Sequence, residues 1–176
     1  HPTMLKAAVQ AKSEGICLPI LLGNDEVIAK MAKELDLSLE GIEIVNLRHP
    51  SEQERRERYA RILAEKRQRE GYTYQEANDK MFERNYFGMM MVETGEADAF
   101  ITGLYTKYSN TIKVVNEVIG IRPEFKHFGT MHIINSPKGT LYIADTLVNE
   151  NPDTDALVDI AKLAFTSVRF FNEKPR

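Results

Sequence analysis

The chain has 176 residues, 43% of them apolar and 28% charged, and a net charge of −3. That is enough for one good core, or for one domain and part of a second, in a soluble globular balance. The slight acidity excludes a general attraction to nucleic acid or anionic membranes, and a single cysteine excludes an internal disulfide. No apolar run reaches the roughly 20 residues a membrane helix needs, and no signal peptide pattern is visible. A cytoplasmic protein in a reducing compartment is the expectation.

In chain order, residues 2–14 carry an amphipathic helical pattern stopped by Gly15. Residues 16–22 are continuously apolar, as in a strand covered on both faces, with Cys17 a small core residue inside it. Gly23-Asn24-Asp25 turns the chain and caps a helix to about Leu35, and residues 42–47 read as a second strand. Helix–strand alternation of this kind argues for a parallel sheet flanked by helices. Residues 51–70 form a long helix with seven basic and five acidic residues and few apolar positions, Tyr59, Ile62 and Leu63. Such mixed-sign helices are usually solvated faces laced by i,i+4 pairs; the alternative sets Arg55, Arg58 and Arg67 toward an anionic ligand.

Gly71 ends that helix, and Thr73-Tyr74-Gln75-Glu76 is a capping box for the next one. The new helix runs to Gly95 through Met89-Met90-Met91 and is apolar nearly all round, which predicts burial. Residues 97–102 read as a third buried strand and 110–119 as a helix. Two short runs, 130–135 and 140–145, are joined by Ser136-Pro137-Lys138-Gly139 and predict a β-hairpin. Pro152-Asp153 opens a last helix to about Phe171. Both ends look cut: the first helix has no strand before it, and a strand is expected after the last.

Little of the chain suggests metal or covalent chemistry. The four histidines lie far apart without ligand spacing, and His132 fits a satisfied strand position. No GxSxG, Walker loop or GxGxxG is present. The segment from Thr102-Gly103 to Lys113 stands out. A strand ends in glycine, a polar loop follows, and Ser109-Asn110-Thr111 opens a helix. Helix N-termini at the carboxyl ends of strands attract phosphate groups. Thr102, Ser109 and Thr111 offer hydroxyls and Lys113 a charge. An ordinary strand–loop–helix joint capped by Ser109 or Asn110 explains the same residues, and both readings stay open. Asp145, ending the second hairpin strand, reads equally as a site carboxylate or as an Asx turn.

Several segments, in order, resemble the phosphate acetyltransferase (phosphotransacetylase) family. They are Arg58-Tyr59, Arg67, Gly71-Tyr72-Thr73, the run from Asn85-Tyr86-Phe87-Gly88 through Gly95-Glu96-Ala97-Asp98-Ala99, Thr102-Gly103, Asn110-Thr111-Ile112-Lys113 and Ala144-Asp145-Thr146. Arg84-Asn85-Tyr86-Phe87-Gly88 is most similar to the phosphotransacetylase-like domain at the C-terminus of bacterial NADP-dependent malic enzymes. The resemblance implies a three-layer α/β/α fold with a mostly parallel sheet, isocitrate/isopropylmalate dehydrogenase-like, plus a hairpin beginning a second subdomain. Residues 1–103 would form the first α/β domain, without its N-terminal strand, and 104–176 the incomplete start of a second.

The resemblance also implies coenzyme A and phosphate in an interdomain cleft, and a homo-oligomer. It assigns ligand binding to Arg67, Thr102, Gly103, Ser109, Thr111, Lys113 and Asp145, and it points to no catalytic or metal residue. The family's Asp-Thr-Leu/Ile-Arg-Pro segment here reads Asn110-Thr111-Ile112-Lys113-Val114, and its RxxKG lysine is Glu70. Lysine lacks the planar fork with which arginine grips phosphate. The family's later catalytic Ser-Arg-Gly and Asp fall after Arg176, so this stretch alone is expected to be inactive. The implied function is a regulatory part of a malic enzyme (malate and NADP to pyruvate, CO2 and NADPH), with NADP and Mg or Mn held elsewhere in the parent. In it this part would oligomerise and sense acetyl-CoA. The alternatives are a phosphate acetyltransferase, interconverting acetyl-CoA and phosphate with acetyl phosphate and CoA, and a purely structural assembly module. No nucleic acid or membrane partner is expected.

Overall fold

Pro2 begins the first helix because its missing N–H is one the first turn leaves unbonded anyway. In the computed structural model, which describes residues 1–103 and 106–175, this helix is α1 (Pro2–Ser13). It closes when Ile16 donates its N–H to the Ala11 carbonyl at 2.9 Å, with Gly15 left-handed at φ 69°. That closure shortens the expected strand. With the Ile16 amide committed to the helix end and Pro19 lacking a donor, only β1 (Ile20–Leu22) pairs. Cys17 is consequently exposed rather than in the core.

The Asn24 side chain accepts from the Val27 N–H at 2.9 Å and caps α2 (Asp25–Glu34). β2 (Glu43–Val45) lies parallel to β1, with Ile20 opposite Glu43 and Leu22 opposite Val45. After it the chain enters a 3-10 turn, Pro50–Glu52, and α3 (Gln53–Arg67). α3 is charged along most of its length, but Tyr59, Ala60 and Leu63 are fully buried. Arg56, also buried, donates to the Leu47 carbonyl at 2.7 Å and the His49 carbonyl at 3.0 Å. Its guanidinium lies over the Phe82 ring.

The capping box forms as the sequence predicts, with the Thr73 side chain and backbone exchanging bonds with Glu76. The helix it opens is not continuous, however. It breaks into α4 (Tyr74–Lys80) and α5 (Arg84–Glu93). Between them Met81, Phe82 and Glu83 bond three residues back instead of four, which tightens the last turn and re-aims the chain. Met81 and Phe87 are both fully buried on either side of the break, and Phe87 meets Tyr59 edge-on at 5.2 Å. Gly88 makes room for the ring of Phe100, which a Cβ would strike. α6 (Tyr108–Val118) packs on α5 and α3.

Residues 97–102 do not form the third strand. The Glu96 and Ala97 amides are spent on the Met91 carbonyl at the end of α5, Thr102 bonds to Asn85, and Ile101 is 81% exposed. Among the described residues the parallel sheet therefore has two strands.

Two compact units result, His1–Ile119 and Gly120–Arg176. In the second, β3 (Met131–Ser136) and β4 (Gly139–Ala144) make the expected antiparallel hairpin, with Met131 opposite Ala144 and Ser136 opposite Gly139. Asp153 caps α7 (Thr154–Phe170), which packs on β4 and buries Ala156, Ile160 and Val168. No helix among the described residues is long and apolar enough to cross a membrane.

Candidate functional site

The start of α6 is where the sequence reading puts a phosphate cradle. Gly103 has φ 147°, a conformation that favours glycine, and Thr102 beside it donates to the Asn85 side chain at 2.7 Å. Leu104 and Tyr105 of the same loop lie outside the described residues. The helix begins earlier than its polar residues suggest. Lys107 is the N-cap, without a side-chain cap bond, so Ser109 and Asn110 sit inside the first turn rather than at its cap. The Asn110 and Thr111 amides both bond the Lys107 carbonyl, at 3.0 and 3.3 Å, so the helix start offers its dipole beside Ser109 and Thr111 with those two amides already engaged.

Lys113 lies one turn further on and is 68% exposed. Its ammonium is 3.7 Å from Oε1 of Glu117, the i,i+4 partner. Glu117 is only 12% exposed and ties α6 to the elements beneath it. Its Oε2 accepts from the hydroxyls of Tyr72 and, at 2.6 Å, Tyr86, while Lys80 Nζ lies 3.8 Å away and donates to the Tyr86 oxygen at 2.9 Å. Burial alone pushes the Glu117 carboxyl up, but the two phenols and then the two lysines outweigh it and hold it below its usual value. Burial, and then Glu117, push both tyrosines well above the usual phenol range. The Lys113–Glu117 spacing was visible in the sequence; the two tyrosines and Lys80 join the cluster only through the packing of α4, α5 and α6.

Arg67 stands at the opposite end of α6. Its Nε donates to the Glu117 carbonyl at 2.7 Å, Nη2 to that of Asn116, and Nη1 to Glu70 at 2.7 Å. α6 has 11 residues, roughly 16 Å of rise, so Arg67 is not gathered with Ser109 and Thr111. Asp145 belongs to the second unit. There it accepts from the Thr130 hydroxyl, the Asn149 side chain and the amides of Asn149 (3.0 Å) and Leu147 (3.4 Å). Burial pushes its carboxyl up, and these donors more than reverse that, holding it at about 2.

The two remaining arginines of the sequence reading line a groove of about 670 Å³ together with Ser51, Thr94 and Glu96. Arg58 pairs with Glu96, and Arg55 lies 3.5 Å from it, so a carboxylate of the chain already occupies both. Among the described residues no three His, Cys, Asp or Glu converge as a metal site.

A family profile described as phosphate acetyl/butaryl transferase matches residues 1–176. The chain belongs to that family. It is 31% identical over 175 residues to a phosphate acetyltransferase of Synechocystis, covering 98% of this chain and 25% of that protein. It is 33% identical over 178 residues to an NADP-dependent malic enzyme of Escherichia coli, covering 98% and 23%. The chain thus spans about a quarter of the length of these curated relatives. A phosphotransacetylase structure from Streptococcus pyogenes superposes with a TM-score of 0.84 at 23% identity, over 99% of this chain and 53% of that one, which shows the shared fold. The family's region is therefore present in two kinds of protein, and the α/β fold of this chain is a phosphotransacetylase fold.

Proposed function

We propose that this chain is the phosphotransacetylase-like part of an NADP-dependent malic enzyme, where it joins subunits and senses acetyl-CoA. The observation that carries this reading is the state of the two cations that the resemblance assigns to the phosphate ligand. Arg67 spends its donors on the carbonyls of α6 and on Glu70, and Lys113 is paired to Glu117. A transferase stabilising charge in a transition state needs donors preorganised toward the reacting group. Donors engaged within the chain suit reversible ligand binding better. Thr102, Gly103, Ser109, Thr111 and Lys113 would receive the phosphate groups of the ligand; Asp145 is kept as a ligand residue of the second unit in its own right. NADP and Mg or Mn would be held by another region of the parent, in a cytoplasmic homo-oligomer. There the short β1–β2 sheet would be completed into a three-layer α/β/α structure.

The likeness to a phosphate acetyltransferase of similar identity supports a second reading, direct acetyl transfer between coenzyme A and phosphate. The intact protein distinguishes the two. NADPH formation from malate that changes with acetyl-CoA, with heat of acetyl-CoA binding and no acetyl phosphate produced, is the expected result. Acetyl phosphate formed from acetyl-CoA and phosphate, without malate oxidation, would replace the first reading by the second. Malate oxidation with no binding heat at millimolar acetyl-CoA would leave assembly alone.

A further inference from the structure

Among the described residues, the side-chain atoms buried without a hydrogen-bond partner gather around the first turns of α3: Glu52 Oε2, Arg55 Nη1 and the Tyr59 hydroxyl. Buried polar groups are nearly always bonded, so three orphans in one place call for an explanation. Glu52 and Arg55 line the groove of about 670 Å³ described above. Tyr59, fully buried, ends behind the groove wall beside Glu96 and Thr94 without bonding either. Burial, and then the Glu96 carboxylate, push its hydroxyl up to about 12, so it stays a donor.

Glu96 closes this set of donors only in part. Its Oε1 meets the half-exposed Arg58 and accepts from the Thr94 hydroxyl at 3.2 Å, and its Oε2 lies 3.5 Å from Arg55 Nε. The backbone of Glu96 is fixed separately. Gly95 before it is left-handed at φ 75°, and the Glu96 amide bonds the Met91 carbonyl at 2.8 Å. Turning the side chain out therefore needs no change in the fold, and it uncovers two guanidiniums and a phenol aimed at one carboxylate position. We propose that this groove is a binding site for a small organic carboxylate, held shut by Glu96, whose own carboxylate stands where that of the ligand binds.

Charge and size select the ligand class. With Glu96 turned out, Arg55 and Arg58 face Glu52 and Glu54 in the lining, a balance that suits one carboxylate and disfavours a phosphate dianion. Two guanidinium forks match the two oxygens of a carboxylate, and the partly buried Ile62 receives a short apolar remainder. The volume is that of a small-molecule cleft. The site is independent of the α6 start and of the acetyl-CoA reading.

The test is saturation-transfer NMR on the methyl group of propionate, titrated into the full-length protein at constant ionic strength. The wild-type protein is expected to bind in the millimolar range. Glu96→Gln is expected to tighten binding roughly tenfold or more, because it removes a competitor tethered at millimolar effective concentration. Arg58→Gln and Arg55→Gln are each expected to weaken it at least as much. Absence of wild-type binding, binding seen only in Glu96→Gln, unchanged affinity in that variant, or binding that survives Arg58→Gln overturns the proposal. So does displacement of propionate by an equal concentration of inorganic phosphate, which would mark a general anion surface. Should Glu96→Gln fail to fold, wild-type binding and its loss in Arg58→Gln decide, since Arg58 is half-exposed. A failure of acetyl-CoA to bind leaves this result untouched.

Discussion

Asp145 shows how a single residue can be read correctly as polar punctuation yet remain ambiguous in role. Four donors converge on its carboxylate, from Thr130, Leu147 and twice from Asn149, and Asn149 also bonds the Phe128 carbonyl at 2.9 Å. This is the local side-chain-to-backbone knot that an Asx residue makes after a strand, and it leaves the site reading open. Its energetic consequence has a definite sign. The folded pKa is lowered from 3.8 to about 2, so the stabilisation is fully present above pH 3.8 and is lost as pH falls toward 2. Full loss corresponds to roughly 1–2 kcal/mol once screening by solvent at this part-exposed site is allowed for. Asp145→Asn should therefore lower stability at neutral pH and flatten the acid-unfolding curve between about pH 4 and 2, read by circular dichroism during acid titration. An unchanged slope in that window would mean that the donors do not favour the ionised form.

Elements were legible where local chemistry decides them, and obscured where distant partners do. The caps Asn24, Thr73 and Asp153, the hairpin turn and the stop at Gly71 all form where their residues stand, because each is satisfied within four residues. The strand expected over 97–102 fails for a tertiary reason: its amides and side chains are claimed by α5, by Asn85 and by the pocket above Gly88. Arg67 illustrates the same limit for the site. Its basic character was plain, but its partners lie about 50 residues away, on carbonyls that only packing brings near. Lys66 completes this cap by donating to the Val118 and Ile119 carbonyls, so two cations of α3 close the negative end of the α6 dipole. Arg67→Ala should cost about 1 kcal/mol or somewhat more, since it leaves the part-buried Glu117 carbonyl and the exposed Asn116 carbonyl without this donor. Arg67→Lys should recover part of that, because one ammonium cannot reach both carbonyls as the fork does. Urea unfolding of the three proteins measures this. Equal midpoints would free Arg67 from the structural role and strengthen its claim as a ligand residue.

At the scale of the molecule, the family assignment needed little beyond one long motif, whereas the division of stability between the two units is visible only in the structure. In the first unit the methionine-rich helix α5 lies at the centre: Tyr86 through Met91 are all buried, against Tyr59 and Leu63 of α3 and Val114 and Val118 of α6. The sequence shows why, since a segment apolar all round has no face to give to water. In the second unit α7 buries only Ala156, Ile160 and Val168, while Ile133, Ile134, Leu141 and Ile143 of the hairpin stay largely exposed. A two-stranded hairpin packed on one helix has few apolar contacts to resist opening. Amide hydrogen exchange of the 176-residue chain should therefore show the slowest amides in α5 and α3, near the limit of global unfolding. Those of β3 and β4 should exchange at least tenfold faster, through local opening. Protection in the hairpin equal to that of α5 would mean that its apolar face is covered in solution, and adding protein should then slow its exchange further, because a cover supplied by a second copy depends on concentration.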